Sequence, residues 1–125
     1  MKLGRVADVR VHQALQDLAG QSIPLKAAYK LKNIIYKVKE EQAKYEEFRK
    51  STLEKYGNRD EAGQLEVDER NNVKFSEENL KGFAEDLNSL MEIEFALEPI
   101  KLDDLGANVN ITTRELDFLD GFIVE

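Results

Sequence analysis

Apolar and polar positions alternate with a helical period along most of the chain and with a strand period in one late stretch. Leu3, Ala7, Val11, Ala14 and Leu18 recur at three- and four-residue steps, which predicts a helix over residues 3–19 that stops at Gly20. Pro24 stands where a helix tolerates proline in its first turn. From there Ala28, Leu31, Ile35, Val38, Gln42, Tyr45, Arg49, Thr52 and Tyr56 form a heptad-like seam. It predicts a second helix of about 32 residues, nearly 50 Å long, ended by Gly57. The seam is aliphatic in its first half and polar at Gln42, Arg49 and Thr52 in its second, with Tyr45, Phe48 and Leu53 nearby. The first half is expected to pack on the body of the domain, and the second to project or meet a partner.

Beyond Gly57, "GQLEVD" has the look of a short strand with Leu65 and Val67 on one face. A third helix follows Ser76 as N-cap, with Glu77 and Glu78 in the first turn and Leu80, Phe83, Ala84, Leu87 and Leu90 as its stripe. "EIEFALEPIKL" alternates, Ile93, Phe95 and Leu97 against Glu92 and Glu94, until Pro99 interrupts it. Thr112 and Glu115 have capping-box spacing ahead of a short terminal helix expected to carry Leu116, Leu119 and Phe122. The fold class expected is α+β and mainly helical, a single domain over 1–125. A helical hairpin occupies 3–56, and a small α+β part over 57–125 holds an antiparallel sheet built from 64–68 and 92–97 and the short C-terminal helix. No internal repeat is read.

Composition narrows the chemistry. There is no cysteine and a single histidine among 125 residues, so disulfides and thiolate metal sites are excluded. No apolar run has the length of a signal peptide or a membrane span, which leads to the expectation of a soluble protein. The net charge of −7 is unevenly spread: residues 1–39 carry eight Lys/Arg against two Asp/Glu, and the remainder ten against twenty-three. Such a basic head and acidic remainder can fold on each other or suit contacts between copies.

The stretch most like a binding motif is "YGNRDEAGQLEVDE". With Asn58 as position one, Asp60, Gly63, Leu65 and Glu69 fall at positions three, six, eight and twelve of a calcium loop. Ala62 at position five and asparagine at position one weaken it, and "DERNNVKF" is a poor exiting helix, so turn formation is the better reading. His12 has no neighbouring nucleophile or carboxylate at catalytic spacing, and Asp103 and Asp104 lie in a turn-like "LDDLGAN". No catalytic residue, cofactor site or metal site is assigned. Lys26, Lys30, Lys37 and Lys44 form a basic stripe on the long helix, joined by Lys32 and Lys39. In a chain of sequence pI near 4.9 that stripe is read as forming salt bridges or meeting an acidic protein rather than nucleic acid.

The Pro-started, Lys-rich helix "IPLKAAYKLKNIIYKVKEEQAKYEEFRKSTLEKYG", the Asp/Gly turn, the acidic helix and "PIKLDDL" resemble a group of small, mostly uncharacterised tailed-bacteriophage proteins over residues 22 to about 105. The resemblance implies a phage gene product of the host bacterial cytoplasm, present in the virion if structural, and brings no functional residues with it. The expected function is non-enzymatic, in assembly or protein–protein interaction. The partner is another copy or another phage protein, and Tyr45, Phe48, Thr52 and Tyr56 are the candidate interface; no membrane partner is expected. The alternative is a small inhibitor or sponge acting on a host defence or nucleic-acid-processing factor.

Overall fold

A computed structural model describes residues 1–125. Five helices, one 3₁₀ turn and two very short strands follow one another along the chain: α1 (Leu3–Val6), α2 (Val9–Ala19), α3 (Leu25–Tyr56), α4 (Glu77–Met91), β1 (Ile100–Lys101), the 3₁₀ turn (Leu102–Leu105), α5 (Thr113–Leu119) and β2 (Ile123–Val124). The protein is mainly helical with a small sheet, and α3 has the boundaries its sequence predicts, from Pro24 at its N-cap to Gly57 at its C-cap. Ser76 caps α4 by accepting from the Asn79 amide. Thr112 and Glu115 form the expected capping box on α5.

The predicted first helix is two helices. Asp8 takes an extended backbone and its carboxylate accepts from the Arg10 amide, so it starts a new helix rather than continuing the old one. His12 closes the break, its Nε2 donating to the Val6 carbonyl at 2.5 Å. The sole histidine therefore serves the join between α1 and α2.

The sheet is also different. The antiparallel pairing of 64–68 with 92–97 does not form; the two-stranded sheet is parallel, with Ile100 beside Ile123 and Lys101 beside Val124. The reason lies in where the backbone groups of the predicted strands are satisfied. Residues 93–95 run antiparallel to residues 1–3, with Leu3 N donating to Ile93 O and Phe95 N to Met1 O. The 64–68 segment is held by its own neighbours, bridging Arg59 to Leu65 and Val67 to Val73.

The core has a lopsided distribution. Its sixteen buried apolar residues come from α1, α2, α3 as far as Tyr45, and then the C-terminal elements from Ile100 on. Phe122 and Ile100 are at its centre, fully buried, and Ile100 N donates to Phe122 O. Arg5 ties α1 to α5 by donating to the carbonyls of Phe118 and Asp120. No residue from 46 to 99 is buried. That span comprises the far end of α3, a double turn and α4, which runs back along α3 until Met91 meets Gly4 of α1. Its two helices form an arm whose near end, from Leu87 to Leu97, packs partly buried against the body.

The double turn is an internal repeat missed in the sequence. Asp60 Oδ1 accepts from the amides of Ala62 and Gln64, and eight residues later Asp68 Oδ1 accepts from Arg70 and Asn72. Gly63 and Asn71 hold the equivalent left-handed positions, at φ 80° and 64°. Asn58, Glu66 and Lys74, each eight apart, close a ring of backbone hydrogen bonds: Glu66 N to Asn58 O, Lys74 N to Glu66 O, Asn58 N to Lys74 O. Leu65 and Val73 close over Gly57 on the inside of this ring.

Candidate interaction surface

Of the two carboxylates in the calcium-loop reading, Asp60 is engaged by the backbone and Glu69 is exposed in the second of two turns. Asp60 and Asp68 each spend an oxygen on two backbone amides, which holds the Asp68 pKa below its ordinary value through the bonds from Asn72 and Arg70. No group of three or more His, Asp or Glu side chains is gathered where one ion could be held.

The candidate interface Tyr45, Phe48, Thr52 and Tyr56 is divided by the fold. Tyr45 belongs to the core at 6% exposure, and burial pushes its phenol pKa up, so it is not part of a free surface. Tyr56 is half-buried against α4: its hydroxyl donates to Asp86 Oδ2 at 2.9 Å, and its ring lies over Gly82, where an added Cβ would come within 2.6 Å of Cε1. Thr52 is also half-buried, and its hydroxyl donates to the Phe48 carbonyl within α3. Phe48 alone is open, at 60% exposure. The far half of α3 thus packs on one side against the acidic helix α4 of the same chain.

The basic stripe is largely neutralised. Lys30 faces Glu98 at 3.6 Å, Lys37 faces Glu41 at 3.1 Å, and Lys44 lies between Glu40 and Glu41; only Lys26 of the four has no carboxylate within ion-pair distance. Glu41 is the one buried charge. Desolvation pushes its carboxyl up, but the ammonium groups of Lys37 and Lys44 outweigh that and hold its pKa below the ordinary value.

What sequence reasoning passed over is a second apolar stripe on the outer side of α3. Leu25, Tyr29 and Tyr36 follow helical spacing and are 86%, 69% and 59% exposed. Lys32 lies among them with its ammonium 5.7 Å from the Tyr36 ring centroid, and Lys32 and Lys39, like Lys26, face no carboxylate. Beside this ridge, the α2–α3 connection and α3 enclose a mostly apolar cleft of about 350 Å³ lined by Ile23, Ala28, Leu31, Lys32 and Ile35. The signal was available: between Leu18 and Lys39 the chain has no acidic residue, and the first turns of α3 are apolar on both sides. A helix that is apolar all round either is buried or has two partners. Exposed tyrosines beside a pocket are the composition of a protein-binding hot spot.

Comparison with family models, with curated proteins and with solved structures finds no match to this chain. No helix is long and apolar enough to cross a membrane.

Proposed function

We propose that the protein is a non-enzymatic assembly component that associates with itself or with another protein of the same bacteriophage. The observation that carries this reading is the arm. No side chain of residues 46–99 is fully buried, those from Leu87 to Leu97 only partly so against the core, and the arm displays Phe48 at 60% and Leu80 at 50% exposure. Two helices on their own make poor use of their apolar faces, and a partner would supply the missing burial. In this reading a hairpin of α2 and α3 is the anchored body and α3 with α4 is the element presented to partners. The resemblance to small tailed-phage proteins supports a phage setting and the host cytoplasm as its site of synthesis.

Sedimentation velocity across a concentration series tests self-association, which is expected to appear as a rising weight-average sedimentation coefficient. Mass spectrometry of purified virions separates a virion component, present in stoichiometric amount, from an inhibitor of a host factor, which would be absent. The neutralisation of Lys30, Lys37 and Lys44 within the chain weighs against the inhibitor acting through a basic nucleic-acid-like groove.

A further inference from the structure

The outer side of α3 is ordered around the helix axis as well as along it. At about 100° per residue, Leu25, Tyr29, Lys32, Tyr36 and Lys39 fall within a sector of about 80°, and all five are exposed. Leu31, Ile34 and Val38 point the other way, into the core. Around the helix, Tyr29 and Tyr36 come first, then Lys32 and Lys39, then Ala28 and Ile35, which line the cleft of about 350 Å³. The two lysines thus separate an aromatic ridge from an aliphatic hollow, and Lys26 stands beyond the other side of the ridge. None of these three lysines is in an ion pair. The chain has 25 acidic residues, yet none between Asp17 and Glu40, where there are five lysines. This face therefore keeps an uncompensated positive charge beside exposed apolar surface.

What fits such a face is set by both chemistries. Apolar side chains fill the hollow and cover the tyrosines, while carboxylates meet the ammonium groups above the lysines' methylene stems. Lys32 and Lys39 are seven residues apart, about 10.5 Å along the axis, and a helix laid beside α3 repeats at that interval. A polyanion fits less well. The hollow is aliphatic rather than cationic, and residues 40–125 carry ten bases against twenty-three acids, a field that repels a nucleic-acid backbone or an anionic bilayer. A short acidic helix touches the lysine face alone.

We propose that this face binds an acidic amphipathic helix of another protein, with an aliphatic side chain in the hollow, apolar contacts on Tyr29 and Tyr36, and carboxylates at Lys26, Lys32 and Lys39. It is the helix-in-groove mode of recognition, with apolar anchors supplying affinity and the charges fixing orientation. The site lies on the body, so it is an interface additional to the arm and independent of it.

The test is a nuclear magnetic resonance titration of the full-length chain with a synthetic helix carrying leucines at three- and four-residue steps and glutamates on its flanks, and with the same peptide carrying lysine for each glutamate. The glutamate peptide is expected to shift the amide resonances of residues 21–39 and to leave those of 46–99 in place, and the lysine peptide to bind roughly tenfold more weakly. Tyr29→Asp with Tyr36→Asp is expected to weaken the glutamate peptide roughly tenfold or more. Lys32→Glu with Lys39→Glu, which leaves the tyrosines in place, is expected to reverse the preference between the two peptides, so the proposal stays open to refutation if the tyrosine variant fails to fold. No binding of the glutamate peptide, equal binding of the two peptides, or resonance changes centred outside residues 21–39 overturns it. So does an oligothymidylate or a phosphatidylglycerol vesicle that occupies the face in preference to the glutamate peptide. Sedimentation of the unaltered chain tests the arm separately, and failure of either interface leaves the other standing.

Discussion

Asp60 and Asp68, eight residues apart, close the same turn twice, each capping the amides two and four residues ahead of it. The two copies differ at the left-handed position, which is glycine at 63 and asparagine at 71. A Cβ at Gly63 meets nothing within 4 Å, so Gly63→Ala tests backbone strain alone. It is expected to destabilise by about 1 kcal/mol, while Asn71→Gly is expected to be close to neutral. Urea denaturation of the two variants checks the contrast.

The arm depends on a close approach at Gly82. In a solvent-exposed helix Gly→Ala stabilises by about 1 kcal/mol, but here the new methyl collides with the Tyr56 ring. Gly82→Ala is expected to lose that gain and to break the Tyr56–Asp86 hydrogen bond. The readout is amide exchange, with faster exchange over residues 45–56 and 77–91 and unchanged protection in α2.

Glu41 pairs with Lys37 and Lys44 along the body-facing part of α3. Glu41→Gln leaves Lys37 without a carboxylate and Lys44 with Glu40 alone, and a loss of about 1 kcal/mol at neutral pH is expected from denaturant midpoints.

Acid is expected to erode stability through three carboxyls. Glu41 titrates below its ordinary value of 4.5, and Asp8, bonded by Arg10, and Asp68 below 3.8 in the folded chain. A depressed carboxyl stabilises fully above its unfolded value and loses that contribution as pH falls through the folded one. Melting temperature is therefore expected to be flat above about pH 5 on this account and to fall below it, with a shallower fall in Glu41→Gln.

Phe122 is fully buried where α5, β1 and β2 meet the body. Phe122→Ala is expected to cost about 3–5 kcal/mol, far more than Phe48→Ala at an exposed position, which is expected to change stability by less than about 0.5 kcal/mol. Thermal unfolding of the two variants measures the difference between core and arm.

The sequence by itself determined the local elements. Pro24, Gly57, Ser76 and the Thr112–Glu115 box set helix ends through bonds made within a few residues, and the structure keeps them. The split at Asp8 and the repeat at Asp60 and Asp68 are equally local, but side-chain capping of backbone amides sets them, and apolar spacing over 3–19 or ligand spacing over 58–69 does not register it. Only the tertiary structure decided which segments pair and which faces stay open. Residues 93–95 could bond to any strand of matching length, and they found residues 1–3; Ile100 found Ile123, because Phe122 anchors that strand in the core. The long helix carries apolar residues on two sides, and its periodicity could not say which side the body would cover. Packing buried Leu31, Ile34 and Val38, laid α4 over Tyr56, and left Leu25, Tyr29 and Tyr36 in solvent, because burial depends on contacts between residues far apart in the chain.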